Sequence, residues 1–269
     1  MPTWVQATIL GIVQGLTEFL PVSSTAHLLV LERQLGFDDP NSVFTEMIQL
    51  GSILAIAWLY RARLLAVARG LPSRPEARRF VLMLGVAVVP ALLAGAFGAD
   101  FVEQVLHHSF STMAVALIAG GLFMLGVERM GLRARTRSVD ETSVTQALGI
   151  GLFQVLALIP GVSRSGATII GGLVMGLERP AAAEFSFFLA IPTMSAAFAH
   201  SMIDLRHQLD PSRAAEVTLG FVWAFIASVL VVEPFLAVIR RSGFAPFAWY
   251  RIVAGAALLA AVAAGWLAA

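Results

Sequence analysis

Six runs of apolar residues, at about 43–60, 80–98, 111–128, 183–203, 217–239 and 247–268, are each nearly free of ionisable groups after the first turn. A helix crossing a bilayer core needs roughly 20 apolar residues at 1.5 Å each, so every run predicts one spanning helix. Two other apolar stretches are cut by a polar turn. Gln6 to Leu20 leads into Pro21-Val22-Ser23-Ser24-Thr25 and continues as Ala26 to Leu31. Val144 to Ile159 breaks at Pro160-Gly161-Val162-Ser163-Arg164-Ser165-Gly166 and resumes as Ala167 to Met175. Neither arm crosses alone, since about 15 helical residues reach about 22 Å of a core about 30 Å thick. Helix-breaking polar backbone at membrane depth is tolerated only where protein buries it or it lines a cavity. Both stretches therefore predict re-entrant helical hairpins with their tips inside the protein, and the fold class is an all-α polytopic membrane protein.

Composition agrees and narrows the field. Of 269 residues 58% are hydrophobic and 13% charged, with net charge +1 and no cysteine, and the mean hydropathy is +0.82. A soluble domain carries roughly 25% charged residues. Disordered chains, basic nucleic-acid binders and disulfide scaffolds are excluded on the same grounds. The first 30 residues have neither a basic n-region nor a small-residue cleavage site, so no removed signal peptide is expected.

All 18 basic residues of the Lys+Arg count are Arg, and their placement orients the chain. Six lie in the loop 61–79, four in 129–143, and Arg240-Arg241 mark a third loop, against three Arg in the loops 32–42, 99–110 and 204–216 together. The first set is expected to be cytoplasmic. Six spans then alternate correctly only if 1–31 and 144–178 each return to their starting side, as hairpins do. Both termini are expected outside, the first hairpin entering from outside and the second from the cytoplasm. Each half, about 1–128 and about 144–269 of one membrane domain, is one hairpin plus three spans, an odd number of crossings that inverts the second copy. Gly11-Ile12-Val13-Gln14 with Pro21 and Ser24 matches Gly151-Leu152-Phe153-Gln154 with Pro160 and Ser163, and Glu46 matches Glu184. Inverted repeats bring their broken segments together near the midplane, which is where chemistry is expected.

The first break supplies Gln14, Glu18, Ser23, Ser24, Thr25 and His27. Gln14 and Glu18, four apart, share one helix face, and the turn after Pro21 brings three hydroxyls and an imidazole near it. A carboxylate in such a segment is a functional-site hypothesis by default; the plainer reading is a satisfied polar patch joining helices. The second break, Ser163-Arg164-Ser165-Gly166-Ala167-Thr168, reads as an oxyanion cradle, with flanking glycines, hydroxyl donors and a helix N-terminus where the turn ends. Arg164 is the only Arg expected within the membrane core, and its planar fork suits two phosphate oxygens. Its competing role is an internal ion pair, with Glu18 as the nearest partner in kind.

Other polar residues carry less. Glu46 and Glu184 lie near helix starts, where capping competes with a catalytic or metal role. His107 and His108 fall in an expected outer loop, and His200 and His207 flank the end of a span. Trp4, Trp249 and Trp266 fit interfacial belts.

The two polar clusters together resemble the undecaprenyl-diphosphatase family of bacterial membranes, also called bacitracin resistance protein. The likeness rests on Gln14-xxx-Glu18 followed by Phe-Leu-Pro-Val-Ser-Ser-Thr-Ala-His27, and on Pro160-Gly-Val-Ser-Arg-Ser-Gly-Ala-Thr168. It extends to Ile48-Gln-Leu-Gly-Ser-Ile53, Glu184-Phe-Ser-Phe and Pro246-Phe-Ala-x-Tyr-Arg251. The family pattern accepts Glu or Gln at the first position, and Gln14 leaves one fewer carboxylate for a metal. The resemblance implies hydrolysis of undecaprenyl diphosphate to the monophosphate in the bacterial cytoplasmic membrane, recycling the carrier lipid for envelope polymers and lowering bacitracin sensitivity. It implies Glu18, Ser24, His27 and Arg164 as essential residues, Ser163, Ser165 and Thr168 as phosphate-binding, a divalent cation, Mg2+ or Ca2+, and a homodimer with its site open to the outer face.

The residue chemistry agrees with in-line attack at a terminal phosphorus, catalysed by positioning and charge stabilisation. Arg164 and the Ser163 to Gly166 backbone hold the phosphates, Ser165, Thr168, Ser23 and Thr25 add donors, and Ser24, His27 or water attacks. His27 and Glu18 supply acid and base functions, His27 being spaced to activate Ser24, or Glu18 with Gln14 holds a hard cation. The competing class is an inverted-repeat transporter or flippase for an anionic or prenyl-phosphate substrate. A structural scaffold is a third, disfavoured by Arg164.

Overall fold

A computed structural model describes residues 1–106, 109–205 and 210–267, with eleven α-helices among them. His107, His108, His207 and the end of the last apolar run lie outside the described residues. The helices are α1 (Thr3–Thr17), α2 (Ser24–Leu35), α3 (Val43–Leu59), α4 (Arg61–Gly70), α5 (Pro75–Leu106), α6 (Phe110–Arg129), α7 (Val144–Val155), α8 (Arg164–Val174), α9 (Arg179–Leu205), α10 (Ala214–Ser242) and α11 (Ala245–Ala263).

Among the described residues five stretches are long and apolar enough to cross a membrane: Pro75–Phe97, Phe110–Arg129, Arg179–Ile203, Pro211–Ser242 and Ala245–Ala263. They match five of the six expected spans. The sixth, expected at 43–60, is the 17-residue α3, which bends by 72° into α4. Much of the Arg-rich loop expected at 61–79 is therefore helix. Its Arg-Ala-Arg-Leu-Leu-Ala-Val-Ala-Arg sequence is made almost wholly of good helix formers, and its Arg side chains forbid burial across lipid. The last span stops at Ala263, short of the expected 268, where Ala264 ends the helix and Gly265 turns left-handed (φ 74°).

Both interrupted stretches fold as pairs of short helices joined at a tight break. The second arm of the first pair is longer than expected, running from Ser24 to Leu35 and ending at a left-handed Gly36 (φ 64°). In the second pair, residues 156–158 make one 3₁₀ turn between α7 and the break. Each break follows a proline, Pro21 or Pro160, whose ring prevents the preceding helix from continuing. Each then passes through a serine with positive φ, 71° at Ser23 and 72° at Ser163, at the position just before the following helix, where the Ser163 side chain also caps α8. Non-glycine residues are uncommon in that region and cluster at functional breaks. The geometry thus pairs Ser23, not Ser24, with Ser163, because Gly161 is an extra residue in the second break; Ser24 falls opposite Arg164.

The two pairs are held by the other half of the chain. The α1 helix lies along α10, with Gly11 against the carbonyl of Gly220, and α7 lies along α5, with Gly151 against the carbonyl of Ala87. A Cβ at either glycine would collide with backbone. Such small-residue crossings are how helices associate in lipid, where apolar burial drives little. Near the ends of α6 and α10, Glu128 takes Arg179 bidentately (Nε 3.0 Å, Nη2 2.7 Å) and the amide of Phe244 at 3.1 Å, tying α6, α9 and the α10–α11 turn together. A phenylalanine core including Phe19, Phe185, Phe187, Phe188 and Phe235 lies beneath the breaks. Leu82, Leu93, Phe97, Leu122, Leu230 and Val253 are exposed on the long helices, as lipid-facing residues are.

Candidate active site

Glu18 ends α1 with its side chain buried, where the chain can neither continue the helix nor reach water. Its Oε2 accepts from Gln14 Nε2 at 3.0 Å and from Ser24 Oγ at 2.7 Å, and its Oε1 accepts from Arg164 Nη2 at 3.0 Å. An ionised carboxylate only accepts, and three converging donors suit that form. Arg164 also donates to the Ser186 carbonyl at 3.2 Å and contacts Met194 Sδ at 3.3 Å, with its guanidinium 5.8 Å from the Phe19 ring centroid. Its side chain is only 14% exposed and that of Glu18 6%, so the ion pair between the two breaks is nearly dry. Losing one partner of such a pair typically costs about 3–5 kcal/mol. Ser24 and Arg164, equivalent positions of the two breaks, meet on opposite oxygens of one carboxylate.

Several hydroxyls expected as phosphate donors are committed elsewhere. Ser163 Oγ accepts from the Gly166 amide at 3.1 Å, capping α8, and lies 3.1 Å from Ser165 Oγ. Ser165 Oγ donates to the Leu20 carbonyl at 2.8 Å, stitching the second break to the first. Thr168 Oγ1, buried, reaches the Arg164 carbonyl at 2.9 Å and Ser186 Oγ at 2.7 Å. The cradle expected from Ser163 to Gly166 therefore narrows to the amides of Arg164 and Ser165, which have no acceptor within the helix they begin. Ser23 contributes its carbonyl, and among the described residues no hydrogen bond joins the Thr25 side chain to this network. Glu46 stands in the first turn of α3, bonded to Ser201. Glu184 is in the second turn of α9, too far in for capping.

His27 does not meet Ser24. Its Nδ1 lies 2.7 Å from the Ser23 carbonyl and its Nε2 2.6 Å from the Tyr250 hydroxyl. The spacing that brought His27 beside Ser24 in sequence turns it, three positions on in α2, toward α11 instead; Glu18 is the acceptor for the Ser24 proton.

Tyr250 and Arg251 entered the sequence reading only within the motif Pro246-Phe-Ala-x-Tyr-Arg251, with no role given to either. Arg251 corrects the expectation that Arg164 alone enters the core, because it is 1% exposed. It has no carboxylate partner among the described residues and spends its fork on carbonyls: Pro21 (3.1 Å) from the first break, Val162 (2.9 Å) and Gly161 (3.2 Å) from the second, and Ala116 (3.2 Å) and Leu117 (3.4 Å) of α6. The available signal was Gly120 in α6, whose missing Cβ leaves room where the Arg251 guanidinium passes.

Beside Arg251 a cavity of about 600 Å³ runs along α6, α7 and α8. Phe123, Phe153, Leu156, Ile159 and Ile170 line it, and Val162 and Gly166 join it to the second break.

The fold and the cluster together describe a polytopic helical membrane protein whose two broken helix pairs join through a buried Glu–Arg pair. The family comparison agrees: residues 7–257 match the model of bacitracin resistance protein BacA, and the chain belongs to that family. Among its relatives it is 47% identical over 258 residues to undecaprenyl-diphosphatase 1 of Agrobacterium fabrum, covering 96% of each chain. It is 49% identical over 263 residues to the undecaprenyl-diphosphatase of Ectopseudomonas mendocina, covering 97% of this chain and 95% of that one. With that of Caulobacter vibrioides it shares 46% over 260 residues, 97% and 98% of the two.

Proposed function

We propose that this protein hydrolyses undecaprenyl diphosphate to undecaprenyl phosphate and inorganic phosphate, recycling the carrier lipid for cell-wall synthesis and conferring bacitracin resistance. The observation that carries this reading is the Glu18 carboxylate shared between Ser24 and Arg164, one from each break, in a chain that matches an undecaprenyl-diphosphatase over 96% of its length. Ser24 Oγ attacks the terminal phosphorus and passes its proton to Glu18 Oε2. The bond from that phosphorus to the bridging oxygen breaks, and undecaprenyl phosphate leaves. Water then releases phosphate from the serine. Arg164, with the first amides of α8, balances charge on the transferring phosphoryl group, the term that dominates such reactions. The apolar cavity beside the second break suits the first isoprene units of the tail.

Glu18 and the amide oxygen of Gln14, buried and without a hydrogen-bond partner, fit a hard divalent cation, Mg2+ or Ca2+, that takes its remaining oxygens from substrate phosphates and water. Among the described residues no group of three or more His, Asp or Glu side chains is placed to hold a metal. When bound, it supplies neutralisation of the phosphate charge.

The arrangement in the membrane that goes with this reading is six spans and two re-entrant hairpins in an inverted repeat. The matching breaks at Ser23 and Ser163 and the reciprocal seating of α1 on α10 and α7 on α5 support it. The Arg-rich α4 and the segment 129–143 then face the cytoplasm, both termini lie outside, and the site opens to the outer face. The family resemblance supports a homodimer of such protomers. The same reciprocal seating favours a second reading, an inverted-repeat transporter or flippase for a prenyl phosphate.

The deciding assay is phosphate release from undecaprenyl diphosphate by detergent-purified wild type and Arg164→Ala, with and without chelator. Hydrolysis by the wild type, lost by at least 100-fold in the variant, is expected. No release by the wild type with any divalent cation leaves the transporter.

A further inference from the structure

The hydrolytic reading uses Ser24, Glu18 and Arg164 directly, but leaves His27 occupied at both nitrogens. A carbonyl oxygen only accepts, so Nδ1, 2.7 Å from the Ser23 carbonyl, carries the proton. In a neutral imidazole Nε2 is then the acceptor, and the phenol of Tyr250, 2.6 Å away, donates to it. The two rings also stack, with centroids 5.6 Å apart and planes within 9°.

Both ends of this arrangement are anchored. The Ser23 carbonyl is held by the left-handed backbone at that residue. Tyr250 is followed by Arg251, whose bonds to the Pro21, Gly161 and Val162 carbonyls fix the rotation of α11 about its axis. Tyr250 itself is 47% exposed and is not needed to fill the core, where a phenyl ring would serve as well.

We propose that Tyr250 is a positioning residue of the phosphatase, its hydroxyl holding His27 in the Nδ1–H tautomer with Nε2 directed at the phenol. This rests on the reading of His27 as part of the hydrolytic site. When a proton reaches Nε2, the hydrogen bond reverses: Nε2–H donates to the phenolic oxygen, and the phenolic proton turns to another acceptor, such as a phosphate oxygen. No covalent bond beyond N–H is made, and the phenol remains neutral.

The test is a double-substitution cycle on kcat and KM for undecaprenyl diphosphate, using Tyr250→Phe, which keeps the stacked ring, and His27→Asn. Tyr250→Phe is expected to lower kcat about tenfold, a loss of about 1.4 kcal/mol of transition-state stabilisation, with KM within about twofold. In the His27→Asn background the same change is expected to cost less than about twofold, because it acts through His27. In protein labelled with 15N-histidine, the His27 Nε2 resonance, assigned by its loss in His27→Asn, is expected to move in Tyr250→Phe. Losses in kcat that simply add, an unmoved resonance, or full kcat in Tyr250→Phe beside an impaired His27→Asn each overturn the proposal while leaving His27 in the site. Full activity in His27→Asn removes His27 from the site and the proposal with it. A wild type that releases no phosphate overturns the hydrolytic reading itself.

Discussion

Glu18 accepts from Gln14, Ser24 and Arg164, and substitutions separate what each contributes. Ser24→Ala removes the nucleophile but leaves the Glu18–Arg164 pair, so the protein should fold with its melting temperature nearly unchanged while phosphate release falls by 10³-fold or more. Retention of full release in Ser24→Ala would falsify the covalent-serine route and leave water as the attacking group. Gln14→Glu sets a second carboxylate four residues from Glu18 on the same helix face, replacing an attractive hydrogen bond with repulsion. Its activity should collapse in chelator, and the Mg2+ concentration for half-maximal release should fall several-fold; a titration in which both enzymes respond alike would remove the cation from these two residues. Arg164→Lys keeps the charge but loses the fork that spans Glu18 and the Ser186 carbonyl, so it should behave nearly as badly as Arg164→Ala.

At the scale of elements, the two breaks are joined by what α11 sends between them. Among the described residues Arg251 is a cation paired with carbonyls, and Arg251→Met would leave those of Pro21, Gly161 and Val162 without this donor. At about 1–3 kcal/mol for each such group, a loss of about 3 kcal/mol or more in stability is expected, read as a large drop in melting temperature in detergent. A variant that melts like the wild type would mean that the breaks are held without Arg251, by the Glu18–Arg164 pair and the bond from Ser165 to the Leu20 carbonyl. The sequence made the breaks themselves legible, since proline, serine and glycine interrupt an apolar run too short to cross. It did not make the clasp legible, because the motif that ends in Arg251 does not say what the guanidinium meets until Gly120 is known to face it. Residue matching between the breaks also slipped by one, since Gly161 adds a residue to the second and only backbone geometry aligns Ser23 with Ser163. Likewise the positive-inside count read Arg61 to Gly70 as loop, because it weighs charge and ignores helix propensity.

For the whole molecule, orientation decides which leaflet supplies the substrate, and it rests on the contrast between the Arg-rich segments and the opposite loops. The chain contains no cysteine, so single cysteines report topology without a background. Ser73, exposed between α4 and α5, and Asp38, exposed between α2 and α3, lie at opposite ends of α3 and its bend into α4. In intact cells a membrane-impermeant maleimide should label Asp38→Cys, while Ser73→Cys should react only after the membrane is permeabilised. The reverse pattern would put the Arg-rich α4 outside, against the charge bias, and would open the site to the cytoplasm. Labelling of both in intact cells would mean that the bent pair α3–α4 does not cross at all, leaving five spans. That outcome would put the termini on opposite sides and remove the inverted repeat, since α3 and α9 could no longer be equivalent. If only Asp38→Cys labels in intact cells, the hairpin that carries Glu18 starts from the outer face and the one that carries Arg164 from the inner, and a diphosphate headgroup arriving from outside would meet Ser24 and Arg164 on the same carboxylate.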